Sequence, residues 1–337
     1  MRVNFKTLLA GLSLSFTLHG AFAQENGDLL RAPDRIEWDA GGLYEGRFSD
    51  DTRFQIQLGY PRPAKVSEKD ADPMASAYWY QHHSRAQRLT ADKRPGDKLV
   101  LTVDAQPGSS RGEVFSVELS ADKQSGRGSR ASGAKSIPFE LKRLLVYRAI
   151  VLERPLPEAS PEDAHSTFKF STVFPLLDDP ETDAWVREHA GICEADAECA
   201  NHVTVTWRSA ALMTIDASAW DYNLDAPHGN YRSTVRNVMI ADGKARAAGL
   251  DEFVVHSPAC RQKVSAAIVS KLKAQEMAFA EYGKLDERHD PKFSPYPDGI
   301  AFFYDPYEVG SYAQGGPGVF LTRKELGACV KNLPSYD

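Results

Sequence analysis

From Arg53 to Leu141 the bulky residues fall at alternate positions, in runs of about six closed by glycine, proline or aspartate. That pattern leaves room for little but short strands. Arg53 to Leu58 reads R-F-Q-I-Q-L, with Phe54, Ile56 and Leu58 on one face. Ala77 to Tyr80 (A-Y-W-Y), Lys98 to Val103 (K-L-V-L-T-V), Val114 to Leu119 (V-F-S-V-E-L) and Ser136 to Leu141 (S-I-P-F-E-L) follow. Pro95-Gly96-Asp97, Pro107-Gly108-Ser109 and Ser125-Gly126-Arg127-Gly128 supply the turns between them. The 13 Tyr and 16 Phe suit half-buried pleated surfaces. With almost no helical period, this stretch predicts an antiparallel β domain, a sandwich or a small barrel.

The pattern changes after Glu153. Residues 153 to 163, E-R-P-L-P-E-A-S-P-E-D, hold three prolines and four acidic residues with no apolar period, and read as a solvated spacer. Beyond it, strand-like pieces alternate with helix signals. Asp179-Pro180 sets an N-cap and a proline at N1 before Ala184, Trp185 and His189. Ser257-Pro258 opens a helix with Cys260, Val264, Ile268 and Leu272 on one face. The expected class is therefore α+β. A signal peptide over 1–23 precedes an antiparallel β domain over 24–150, a linker over 151–164, and a mixed domain over 165–337 with an antiparallel sheet and two main helices.

The signal peptide rests on Arg2 and Lys6, an apolar run from Leu8 to Leu18, and Ala21-Phe22-Ala23 before Gln24. Its apolar run is shorter than the roughly 20 residues that span a bilayer. The expected location is periplasmic or secreted, with no anchor. Removing Arg2 and Lys6 takes the formal charge from -6 to about -8, a mildly acidic balance that speaks against nucleic acid and suits a basic partner. An oxidising compartment favours pairing of Cys193, Cys199, Cys260 and Cys329. Of three connectivities we expect Cys193–Cys199, around a short acidic loop, and Cys260–Cys329, tying the second helix to the C-terminal segment. No C-x-x-C or histidine stands at metal-ligand spacing, so neither metal nor cofactor is expected.

Three stretches of the second half resemble the extracytoplasmic domain of the sigma-V anti-sigma factor (RsiV) family. They are F-K-F-S-T-V-F-P-L-L at 168–177 before an acidic-start helix, A-P-H-G-N-Y-R-S-T-V-R-N-V-M-I-A-D-G-K at 226–244, and F-F-Y-D-P-Y-E-V-G-S-Y-A-Q-G-G-P-G-V-F-L-T-R-K-E-L at 302–326. Pro306-Tyr307-Glu308 followed by alanine and glycine is the most specific of these motifs. The likeness covers about half the chain, roughly 165–330, and does not reach the first domain. It implies a cell-envelope binding module whose relatives bind lysozyme or stand beside peptidoglycan deacetylase domains. A cleavable signal replaces the family's cytoplasmic segment and membrane helix, which removes transmembrane signalling from the expectation. The residues themselves agree in part, because tyrosines give large contact area at low entropic cost and a carboxylate can meet a basic partner. Tyr304, Tyr307, Glu308, Tyr312 and Gln314, with His228 from the second stretch, are the binding candidates.

Catalytic signatures are absent: there is no H-E-x-x-H, G-x-S-x-G or P-loop. His82-His83 points to opposite faces on a strand. His228 with Asp221 or Asp225 has a turn-forming reading that outweighs a catalytic one, and Asp286, Glu287, His289 and Asp290 read as a solvated loop. The expected function is an exported binding protein, not an enzyme, that recognises or inhibits a lysozyme-like peptidoglycan hydrolase. Its alternatives are immunity against a periplasmic toxin and, behind that, a peptidoglycan-acting hydrolase or deacetylase. Peptidoglycan itself is a further expected partner.

Overall fold

The computed structural model describes residues 36–337 except 62, 67–73, 75, 81–86, 93–97, 104–111, 156–166, 178, 192–196, 224–227, 243, 286–290 and 336–337. The signal peptide, His82-His83, Cys193, Asp225 and the 286–290 loop therefore lie outside the described residues. Eight strands come first: β1 (Ile36–Phe48), β2 (Arg53–Gly59), β3 (Ser76–Tyr80), β4 (Gln87–Asp92), β5 (Lys98–Val103), β6 (Glu113–Leu119), β7 (Ser125–Ser132) and β8 (Lys135–Pro155). Each pairs antiparallel with the next, and β1 also pairs with β8, which closes the ring into a barrel. Closure removes both sheet edges, a solution that a run of short amphipathic strands needs.

Alternation fills the barrel. Phe54, Ile56 and Leu58 of β2 point inward with Leu101, Val103, Phe115, Val117, Phe139 and Leu141. The rings of Phe48, Phe54, Phe115 and Phe139 pack within 4.5–6.2 Å of one another. Burying each such ring contributes about 1.5–3 kcal/mol. Gly46 makes the stack possible: a Cβ there would lie 2.1 Å from the Phe54 ring.

β8 is the hinge of the architecture, 21 residues long. Its first part pairs with β7 and β1, while Tyr147 to Pro155 pairs with β9 (Thr167–Pro175). It thus runs through the expected boundary at 150. β1 serves both halves too. Irregular register at Asp39/Gly41 and Leu43/Tyr44 turns the strand, so that Trp38 and Leu43 join the second core and Tyr44 and Phe48 the barrel interior. Gln55 of β2 fastens the halves further, its amide donating to the Arg208 carbonyl and its oxygen accepting from Arg208 N at 3.0 Å.

The large sheet continues through β10 (Ala197–Arg208), β11 (Leu212–Asn223), β12 (Asn230–Ala241) and β13 (Lys244–Ala247), thirteen strands in sequence order. Among the described residues only β9–β10 is parallel, joined across α1 (Pro180–His189), whose cap is Asp179 accepting from Thr182 N at 2.8 Å. A second sheet, β14 (Lys292–Tyr296), β15 (Gly299–Phe303) and β16 (Gly318–Thr322), packs with α2 (Pro258–Ala274) and the one-turn α3 (Arg323–Leu326). Val264, Ile268 and Leu272 form the buried row of α2. Cys260 and Cys329 are bonded, Cα atoms 5.3 Å apart, pinning the start of α2 to the C-terminal segment. Cys199 is also disulfide-bonded.

The expected α+β class is corrected. The protein is mostly β, with an eight-strand closed barrel, extra strands on the same sheet and a small second sheet. The described helices have only 10, 17 and 4 residues. Strand-like pieces are expected in the second half at 203–207, 212–215 and 231–240, but β11 runs on past Ile215 through D-A-S-A at 216–219, where small and polar residues carry no bulky alternation.

Candidate binding site

The β11–β12 ladder builds the floor of the site. Asp216 pairs with Val235, Ser218 with Ser233, and Trp220 with Tyr231. Side chains directly opposite each other share a face, and positions two apart share it again. Asp216, Ser218, Trp220, Tyr231 and Ser233 therefore project together. The Asn237 and Thr214 side chains, farther along this face, carry the second sheet: Thr214 Oγ1 donates to Asn237 Oδ1 at 2.9 Å and Asn237 Nδ2 to the Phe293 carbonyl at 2.9 Å.

The turn after β15 closes over this floor. Asp305 Oδ1 accepts from the Ser233 amide at 3.1 Å and its hydroxyl at 3.0 Å. Asp305 Oδ2 lies 2.6 Å from Lys292 Nζ, which is also 3.5 Å from Glu308 Oε2. Glu308 Oε2 in turn accepts from the Asp305 amide at 2.5 Å. Held this way, the turn pushes Tyr307 outward with φ +73°, and 60% of the residue is exposed. Left-handed backbone at a tyrosine is uncommon and persists only where its surroundings fix it.

Aromatic rings form the wall. Tyr312 stacks on His228 with centroids 3.8 Å apart, and the Tyr312 hydroxyl donates to the Gly229 carbonyl. Tyr307 Oη lies 3.4 Å from His228 Nε2, and its ring centroid is 5.7 Å from that of Tyr312. Gly229 lies against Trp220, close enough that a Cβ would come within 2.4 Å of the indole. The ring planes of Trp220 and Tyr222 are nearly parallel, and Trp220 and Tyr231 remain 38% and 43% exposed.

The sequence candidates thus separate. Tyr307, Glu308, Tyr312 and His228 meet at one place. Tyr304 faces inward, buried, its hydroxyl donating to the Gly283 carbonyl at 2.7 Å, and burial pushes its ionisation well up. Gln314 holds the loop, accepting from Ser311 N at 2.9 Å and donating to the Glu276 carbonyl at 2.8 Å. Asp216, Ser218, Trp220, Tyr231, Ser233, Lys292 and Asp305 were missed. Their signal was the alternation D-x-S-x-W facing Y-x-S across one hairpin, legible only with the register in hand.

Asp216 is the most perturbed group here. Burial, with the Asp305 charge added and Lys292 opposing, pushes its carboxyl up to about 6. Burial and the Asp216 charge push Tyr231 up to about 12, against its hydrogen bond to Ser218. Lys292 pairs with Asp305 and Glu308 and acts on Asp216 only through its field, so with three carboxylates to one ammonium the site is net negative when all are ionised. Among the described residues no group of three His, Cys, Asp or Glu is arranged to hold a metal ion. Such a surface suits positively charged ligands, through ion pairing and through the faces of aromatic rings.

The chain is mostly β, and within it residues 251–324 match the family described as "Protein of unknown function (DUF3298)". The matched stretch carries α2, the second sheet and the Tyr307 turn. Two solved structures are similar. One is a DUF3298 family protein from Pseudomonas aeruginosa, 16% identical, with TM-score 0.42 over 56% of this chain and 95% of that one. The other is a DUF3298 family member from Bacteroides fragilis, 14% identical, with TM-score 0.41 over 56% and 95%. No curated protein matches the chain. No helix among the described residues is long and apolar enough to cross a membrane.

Proposed function

We propose that this is an exported cell-envelope protein whose C-terminal half binds a basic protein, with a lysozyme-like muramidase as the first partner to test. The observation that carries the reading is Tyr307, thrust out by a left-handed turn beside a net negative cluster. An exposed tyrosine on a rigid turn is the kind of anchor around which interface energy concentrates, and the surrounding carboxylates steer a cationic protein toward it. The N-terminal signal pattern supports export. The likeness of 302–326 to the sigma-V anti-sigma factor domain supports the partner class.

The reading is binding without turnover. Mature chain, oxidised and immobilised, is expected to capture a muramidase saturably from a panel that includes periplasmic toxins, and to release no fragments from peptidoglycan. Capture of a toxin but no muramidase would favour the immunity alternative. Peptidoglycan turnover lost in His228→Ala would replace binding with catalysis.

A further inference from the structure

Asp216 stands out on this face because it lacks what its neighbours have. Asp305 is met by Lys292 and by two donors from Ser233, and Glu308 by Lys292 and a backbone amide. The Asp216 carboxylate has no hydrogen bond or ion pair among the described residues, although it is only partly exposed and largely surrounded by protein. An ionised carboxylate so placed gives up hydration without compensation, and a donor arriving from outside would restore it.

What stands around it narrows the donor. Tyr231 and Ser218 lie beside Asp216 on the same face, and Trp220 is the next residue along β11 on that face. Their exposed rings offer π-faces to a cation. A neutral hydroxyl would satisfy Asp216 but would gain nothing from the excess negative charge, whereas a guanidinium gains from both. A guanidinium also stacks on aromatic rings while donating in the plane, which an ammonium does less well.

We infer that the patch formed by Asp216, Ser218, Trp220, Tyr231 and Asp305 is a subsite for an arginine side chain presented by the protein partner. The inference rests on the reading of this face as a docking surface for a basic protein and names what that surface recognises. Tyr307 then anchors the contact at the rim, and Asp216 selects for charge within it.

The test uses the full mature chain and two small probes of equal shape, N-acetyl-arginine amide and its uncharged isostere N-acetyl-citrulline amide. In NMR titrations the arginine probe is expected to shift the Asp216, Ser218 and Tyr231 signals saturably. The citrulline probe and an uncharged chitotriose are expected not to. Asp216→Asn should weaken the arginine probe roughly 10- to 100-fold, the range for a charge-assisted hydrogen bond. The groups facing Asp216 are Lys292 on β14, Asp305 on the turn, Tyr231 on β12 and His202 on β10. These groups are common to wild type and Asp216→Asn, so both chains are titrated again near pH 4.5, where the gap in affinity between them should close. Equal response to arginine and citrulline, saturation by chitotriose, or no local shift at all would overturn the inference. A muramidase that binds wild type and Asp216→Asn equally, yet not Tyr307→Ala, would overturn the subsite and leave the docking reading standing. Arginine binding without any muramidase would do the reverse.

Discussion

Replacing Asp216 by asparagine is expected to stabilise the folded protein at neutral pH and to leave it unchanged in acid. The carboxyl lies at about 6 in the folded state against 3.8 for an unperturbed aspartate. A carboxyl raised on folding holds its proton more tightly in the native than in the unfolded chain. Stability is therefore complete below about pH 4 and is lost as the pH rises through about 6. At about 1.36 kcal/mol per unit, the displacement amounts to about 3 kcal/mol at neutral pH, and partial exposure brings this to about 1.5–3 kcal/mol. Asparagine keeps the shape and cannot ionise, so it escapes the penalty. Urea unfolding of wild type and variant at several values between about pH 4 and pH 7.5 measures it, because the shared titrations of Lys292, Asp305 and Glu308 largely cancel in the difference. The variant should match wild type at the acid end and gain progressively toward neutral. A difference that stays flat with pH, or a variant less stable at neutral pH than in acid relative to wild type, would refute the argument.

Three further outcomes follow from the fold and the sequence. Cys260→Ser with Cys329→Ser opens a closed loop spanning a sequence separation of 69 and should cost about 4 kcal/mol in denaturant unfolding, compared with oxidised wild type. Gly46→Ala drives a methyl into the Phe54 ring and should cost about 1–3 kcal/mol or more, while Gly249→Ala, with open space around it, should stay within about 0.5 kcal/mol in the same thermal melts. Expressed from its own start codon in a Gram-negative host, the chain should be recovered from the periplasm with Gln24 as its first residue, and a cytoplasmic, uncleaved product would remove export from the account.

How far the sequence carried the fold depends on how local each feature is. The R-F-Q-I-Q-L and V-F-S-V-E-L runs showed their strands and faces because the period of two is written in adjacent residues. The row Val264, Ile268, Leu272 showed α2 in the same way. Closure of the barrel did not show, since it depends on β1 pairing with a strand about a hundred residues later. β8 looked shorter than it is, because Glu153-Arg154-Pro155 resembles spacer although the strand runs on to Pro155. At the site, Pro306-Tyr307-Glu308 drew attention as a local motif, whereas Asp216 and Lys292 needed the β11–β12 register and the packing of β14 to bring them to it. Tyr304 and Gln314 shared the motif's sequence but not its exposed side, which alternation alone did not separate across an irregular turn.

Binding of a basic envelope hydrolase at the Tyr307 face is the central claim, and one calorimetric comparison tests it most directly. A c-type lysozyme is titrated into wild type and into Tyr307→Ala side by side at physiological salt. The account predicts saturable binding to wild type with Kd in the low micromolar range or tighter, weakened about 30-fold or more in the variant, as loss of a central anchor requires. No heat with wild type at high micromolar concentration, or equal affinity for both chains, would contradict it.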